Sequence, residues 1–204
     1  MARSSERGGP QTRARIAEVA AALFLERGYD AVTVAEIARE AGVSSVTVFN
    51  HFPRKEDLFL DRSDDADALL RSAVRDRGEG VDVLTSLRGV ASTLVDERHP
   101  LSGLDPRSVP FFRTVAGSPA LRARAREIAA DLQRSLAEAI EDDPTFEGDG
   151  MLFAAFFVAG YGTVLVETAR RLMAGDDEIG VLADHRARLD RLFDALAGGV
   201  APSP

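Results

Sequence analysis

The sequence predicts an all-α chain, and three observations carry that reading. Apolar residues recur at spacings of three and four along most of the chain, the signature of helices with one buried stripe. No stretch sustains period-2 alternation, and β-branched clusters are few. Glycine, proline and capping residues fall between the periodic segments, where helices start and stop. With 204 residues and 45% apolar composition, the chain can bury a core without metal or disulfide. It has no cysteine, which excludes a disulfide framework, a thiol nucleophile and thiolate-metal sites.

The elements follow in order. Residues 1–10 are polar and rich in Gly and Pro and are expected to form a flexible arm. A first helix is expected from about Gln11 to Arg27, burying Ile16, Val19, Ala20, Leu23 and Phe24, with Gly28 as its stop. Thr33 opens a second helix through a capping box with Glu36, whose inner face is Val34, Ile37, Ala38 and Ala41. Gly42 ends it, and Ser44 caps a third helix that runs to about Phe52. Two short helices about a tight glycine turn form a helix-turn-helix. Pro53 stops the third helix. A long fourth helix is expected from about Arg54 to Asp76, joining residues 11–53 to the rest. Further helices are read near Val81–Arg98, Pro106–Ala116, Pro119–Ile140, Asp149–Ala174 and Asp177–Ala197, with a disordered tail at 199–204.

Charge is unevenly placed. The net −8 comes wholly from residues 63–204, because the first 62 carry nine basic and nine acidic side chains. That excludes sequence-blind coating of nucleic acid but leaves room for a small local DNA surface. The first apolar stretch, Ile16–Leu25, is interrupted by Glu18, so no export signal is read. The longest apolar run, Met151–Val166, is short for a span of about 20 residues and is read as a buried helix. A cytoplasmic protein without membrane association is expected.

The informative segment is Gly42 to Leu58. On the third helix Val48 and Phe52 share a core-facing stripe, Thr47 and His51 share a neighbouring one with Phe49 near its rim, and Ser45, Val46 and Asn50 face outward. Such a helix suits a major groove: asparagine pairs with adenine, valine packs on a thymine methyl, and serine bonds several base edges. Thr47 and His51 suit phosphate oxygens. Lys55, the chain's single lysine, is expected at the start of the fourth helix, where a phosphate is also favoured. Arg3 and Arg7 of the arm suit a minor groove. The expected DNA-binding residues are Thr33, Ser44, Ser45, Val46, Thr47, Phe49, Asn50, His51 and Lys55.

Residues 11–59 resemble the DNA-binding domain of the tetracycline-repressor (TetR) family of bacterial transcription regulators. The likeness lies in Leu23-Phe24-Leu25-Glu26-Arg27-Gly28-Tyr29, Thr33-Val34-Ala35-Glu36-Ile37-Ala38, Ala41-Gly42-Val43-Ser44, Thr47, Phe49, His51, Phe52 and Lys55-Glu56-Asp57-Leu58. One departure is Phe49, where the family usually has a tyrosine whose hydroxyl contacts a phosphate. The resemblance implies about nine helices: the three-helix DNA-binding domain at 11–53, then a ligand-binding and dimerisation bundle at 54–198. It implies a homodimer formed by the last two helices of each subunit, reading a double-stranded, palindromic operator. It also implies that the C-terminal domain binds a small-molecule effector. The apolar later helices favour a hydrophobic effector, with Leu87, Phe111, Phe112, Arg113, Phe153, Phe156, Phe157 and Tyr161 as pocket candidates. Ala155, Ala159 and Gly162 form a small-residue stripe, and Leu182, Leu189, Leu192, Phe193 and Leu196 a second apolar face.

The expected function is a ligand-responsive repressor with no cofactor, no metal and no catalytic residues. Activation of transcription is the alternative within the family. From other classes, a helical enzyme acting on a lipid-like substrate has no Gly-rich phosphate loop, Ser–His–Asp context or HExxH pair to support it. A protein-interaction module without DNA binding is the remaining rival.

Overall fold

In the computed structural model, which describes residues 5–199, helices follow one another with no strand among the described residues. Nine α-helices are described: α1 (Ser5–Arg27), α2 (Val34–Glu40), α3 (Ser45–His51), α4 (Ser63–Arg75), α5 (Val83–Asp96), α6 (Val109–Gly117), α7 (Pro119–Glu141), α8 (Gly150–Ala174) and α9 (Glu178–Gly199). The chain is all-α. Three single 3-10 turns, at Glu56–Leu58, Pro100–Ser102 and Pro106–Ser108, punctuate the connections.

Several boundaries differ from the sequence reading. Six residues of the expected 1–10 arm are helical, because α1 extends back to Ser5 despite Pro10. Adding residues to an existing helix costs far less than nucleating one, so the packed 11–27 segment carries its N-terminal neighbours with it. Arg3 lies outside the described residues. The expected fourth helix from Arg54 is broken: a 3-10 turn holds Glu56–Leu58 and α4 starts only at Ser63. Leu58, in this turn, and Phe59, just after it, are both buried, so the segment between α3 and α4 packs into the core of its own unit. Pro106 likewise opens a 3-10 turn, and α6 proper begins at Val109. Of the expected tail, Gly199 closes α9 and residues 200–204 lie outside the described residues.

The described chain divides into two compact units, which depart from the expected boundary at 53/54. The first comprises residues 5–61 with 113–125; the second comprises 62–112 with 126–199. In the first, α1, α2 and α3 bury Ile16, Ala20, Phe24, Ile37, Ala38, Val48 and Phe52. Val19, Leu23 and Val34, expected inside, are half-buried at its edge.

The second unit is organised around Leu87, Ala91 and Val95 of α5, Leu136 and Ile140 of α7, Phe153 and Phe157 of α8, and Leu189, Phe193 and Leu196 of α9. Helices α8 and α9 cross closely at Gly160, where an added Cβ would overlap Leu192 Cδ1. The small stripe noted in sequence lies elsewhere, since nothing stands within 4 Å of a Cβ built on Gly162. Most of the apolar face expected on α9 is therefore spent inside the chain. By length and composition α8 is apolar enough to cross a membrane. Its apolar residues divide between two sides instead. Phe153, Ala154, Phe157 and Val164 are buried, while Leu152, Phe156, Ala159, Thr163 and Val166 are exposed.

Candidate nucleic-acid interface

Local chemistry fixes α3 in place before any ligand is considered. At the start of α2 the capping box is complete: Glu36 N–H donates to Thr33 Oγ1 at 3.2 Å, and Thr33 N–H donates to Glu36 Oε2 at 2.8 Å. The Thr33 hydroxyl hydrogen also goes to Glu36 Oε2, at 2.8 Å. Thr33 was expected to touch DNA, but its one donor is committed to the cap. Arg27 reaches the other Glu36 oxygen at 2.7 Å. That guanidinium, with the Thr33 bonds, holds the Glu36 carboxyl at about 2.

Gly42 takes φ +65° between the two helices, a left-handed conformation that costs little only without a Cβ. Ser44 then caps α3, accepting from Thr47 N–H at 3.0 Å. The Ser44 and Thr47 hydroxyls also bond each other at 2.8 Å, which leaves one hydroxyl hydrogen of the pair free to donate outward. A phosphate oxygen suits that donor.

Burial sorts α3 as its spacing predicts except at two positions, with Ser45 drawn half inside and Phe49 standing further out than expected. Val48 and the capping Phe52 are buried, and the Arg13 guanidinium lies over the Phe52 ring, 4.7 Å from its centroid. Ser45, Thr47 and His51 are half-buried. Outward stand Asn50, Val46 at 68% exposure and Phe49 at 49%. The Asn50 amide has no hydrogen-bond partner among the described residues, so its donor and acceptor are both available for a base edge.

Lys55 is placed differently from expectation. It precedes a three-residue 3-10 turn, not a long helix, so no helix dipole acts there. Its Nζ donates to Tyr29 O at 2.6 Å and sits 4.2 Å from the Tyr29 ring centroid. Tyr29 in turn donates to Glu56 Oε1 at 2.8 Å. Burial, then this bond to a carboxylate, pushes the phenol upward. Tyr29 packs with Phe24 and Phe59 at centroid distances of 5.1 and 6.4 Å. Lys55 thus ties the α1–α2 connection to the turn after α3 through one of its three ammonium hydrogens.

Sequence reasoning gave no role to Arg13, Arg27, Tyr29 or Glu56 in holding this surface. Their partners lie 9 to 48 positions away, outside the three- and four-residue spacings that make helix neighbours legible.

The pocket candidates belong to the second unit, with one exception. Leu87, Phe153 and Phe157 are core residues, and Phe112 and Tyr161 pack against the same cluster. Phe157 stacks on Tyr161 at 6.0 Å and meets Phe193 at 6.0 Å. Phe111 is half-buried, edge-on to Phe112 at 5.7 Å. These rings fill the space expected to be a cavity, and their mutual packing removes their apolar surface from water. Phe156 is 55% exposed on the solvent side of α8, and Arg113 is exposed and groups with the first unit. Neither belongs to the cluster. A shallow surface cleft lies instead among Arg98, Leu104, Leu172, Glu178, Val181 and Leu182.

Residues 16–61 match the family described as bacterial regulatory proteins, tetR family. Over 108 residues the chain is 32% identical to the HTH-type transcriptional regulator AcrR of Shigella flexneri, covering 50% of each chain. The match thus spans about half the length of that relative. It is 46% identical over 46 residues to the HTH-type transcriptional repressor KstR2 of Mycobacterium tuberculosis, covering 22% of this chain and 23% of that one. The crystal structure of Thermus thermophilus FadR, a TetR-family transcriptional repressor in complex with lauroyl-CoA, superposes with a TM-score of 0.54 at 26% identity. It covers 94% of this chain and 98% of its own.

Proposed function

We infer the function from the premise that this chain belongs to the tetR family of bacterial regulatory proteins: it is a DNA-binding transcription regulator, not an enzyme, and acts as a ligand-responsive repressor. The observation that carries the reading is the outward face of α3, where Val46, Phe49 and Asn50 project while Val48 and Phe52 fix the helix to its core. Asn50, Val46 and Phe49 meet base edges. Ser44, Ser45, Thr47 and His51 meet phosphates and flanking edges. Thr33 and Lys55 position the helix.

Two copies read a palindromic operator whose half-sites lie about 34–36 Å apart, or a multiple of that. The exposed stripe Leu152, Phe156, Ala159, Thr163 and Val166 on α8 supports pairing of copies, because alternate steps of four and three residues keep one seam along a helix. To admit a hydrophobic effector, the packed side chains of Leu87, Phe112, Phe153, Phe157 and Tyr161 must part, because they are closed on one another in this structure. The acyl-CoA bound by the FadR relative supports that chemistry. The effector favours a dimer whose reading helices no longer match successive grooves, and by linkage operator DNA weakens effector binding by the same factor. The regulator works in the cytoplasm, where the DNA is.

The test is a gel shift of the full chain on the DNA upstream of its own gene, against random competitor. A specific complex carrying two copies is expected. A monomer with no preference among duplexes would overturn the reading.

A further inference from the structure

Resting on the reading of α3 as a major-groove helix, we propose that Val46 and Phe49 together select operator positions by the C5 methyl group of thymine. The starting point is an anomaly of burial. In the first unit, residues 5–61 bury Ile16, Phe24, Ile37, Val48 and Phe52, yet the seven-residue α3 leaves two large apolar side chains largely in solvent. They stand three residues apart, so they share a face, and Asn50 is one turn beyond Val46. The Ser44 and Thr47 hydroxyls are bonded to each other at the cap, and the one hydrogen the pair keeps suits a phosphate. Along its exposed face α3 therefore presents a two-residue apolar patch beside one amide, that of Asn50.

Base chemistry then narrows the occupant. In an unmodified major groove the edge groups are hydrogen-bond donors, acceptors and bare ring C–H, and the one alkyl group is the thymine methyl. Pressing valine or phenylalanine against a purine N7, a guanine O6 or a cytosine amino group strips water without replacing its hydrogen bond, which is unfavourable. Packing them on a methyl removes apolar surface from water on both sides. Phe49 lacks the hydroxyl that would carry a phosphate contact, so its ring is free to serve this contact. With Asn50 suited to adenine, the patch favours half-sites in which thymine lies next to an adenine on one strand or the other.

The experiment uses the full chain and duplexes it enriches from a random library. Each is resynthesised with deoxyuridine replacing one thymine at a time, which deletes the methyl and nothing else. At the thymines under α3 the expected loss is about fourfold in affinity per methyl, with none at other thymines. The dependence on salt stays the same, since no phosphate contact changes. In Val46→Ala and Phe49→Ala the thymine-to-uracil ratio falls toward one at the position each side chain covers. Both side chains lie outside the core, and thermal melts matching the parent confirm folding. Equal binding of thymine and uracil duplexes at every position by the parent chain overturns this inference and leaves the DNA-binding reading standing. So does a uracil penalty that persists unchanged in both variants. Failure to enrich any duplex overturns the DNA-binding reading itself, and this inference with it.

Discussion

Arg124 Nε donates to Asp57 Oδ1 at 2.7 Å, tying the first part of α7 to the turn that follows α3. Asp57 works with both oxygens, because Oδ2 accepts from Arg54 N–H at 3.2 Å. Both side chains are largely shielded from water, so the pair is stronger than a surface ion pair. Arg124→Met is expected to cost about 1–3 kcal/mol, read as a lower midpoint in urea at unchanged m. Asp57→Ala is expected to cost more, since the Arg54 N–H loses its acceptor as well. Equal midpoints for parent and Arg124→Met would show that the contact contributes nothing to stability.

His185 is 1% exposed between α8 and α9. The Thr168 hydroxyl donates to Val164 O at 2.9 Å, so the 2.8 Å contact with His185 must be donated by Nδ1–H. Nε2 is left buried with no partner. Burial, with Arg186 nearby, holds the imidazole down at about 4, against 6.5 in the unfolded chain. Between those values the folded chain binds fewer protons than the unfolded one. Stability is therefore full above pH 6.5 and falls as pH drops toward 4, by up to roughly 3 kcal/mol. His185→Leu should flatten that window in urea titrations run at pH 7 and pH 5. The same slope in parent and variant would assign the acid sensitivity to other groups.

Lys55→Met separates a strut from a phosphate ligand. With Nζ bonded to Tyr29 O, the variant should melt at a lower temperature, because a carbonyl loses a charged donor. Its salt slope for operator binding should stay within about half a unit of the parent, where loss of a phosphate contact would lower it by about one. A fall of a full unit returns Lys55 to the phosphate contacts.

Asn50→Ala should cost roughly 1–3 kcal/mol in operator affinity and relax preference at one base position. A base-preference profile identical to the parent's would remove Asn50 from direct readout.

Gly160→Val should destabilise the second unit by about 1–3 kcal/mol, since the added carbons meet Leu192 at the α8–α9 crossing. Gly162→Ala, where a Cβ meets nothing within 4 Å, is the control: it is expected to be neutral, or to gain up to about 1 kcal/mol of helix propensity. Comparable thermal melts for the two would mean that α9 gives way without cost at this crossing.

Local pattern alone was enough to place the helix-turn-helix. Thr33 with Glu36, Gly42 and Ser44 are capping and turn signals that act within four residues, and Val48 and Phe52 fall on one stripe by helical geometry alone. Val46 and Asn50 fall outward by the same geometry, whereas Ser45, expected beside them, is half-buried and Phe49 takes the outer place. What the sequence left open depends on partners distant along the chain. That Lys55 turns to Tyr29, that the expected fourth helix breaks between Leu58 and Ser63, that Arg124 meets Asp57, and that the aromatic residues of α8 close on Phe193 were all decided by tertiary packing. Periodicity names the face a residue occupies. Only the neighbouring helix determines whether that face is filled, left open or held by charge, because burial and pairing energies belong to two surfaces at once.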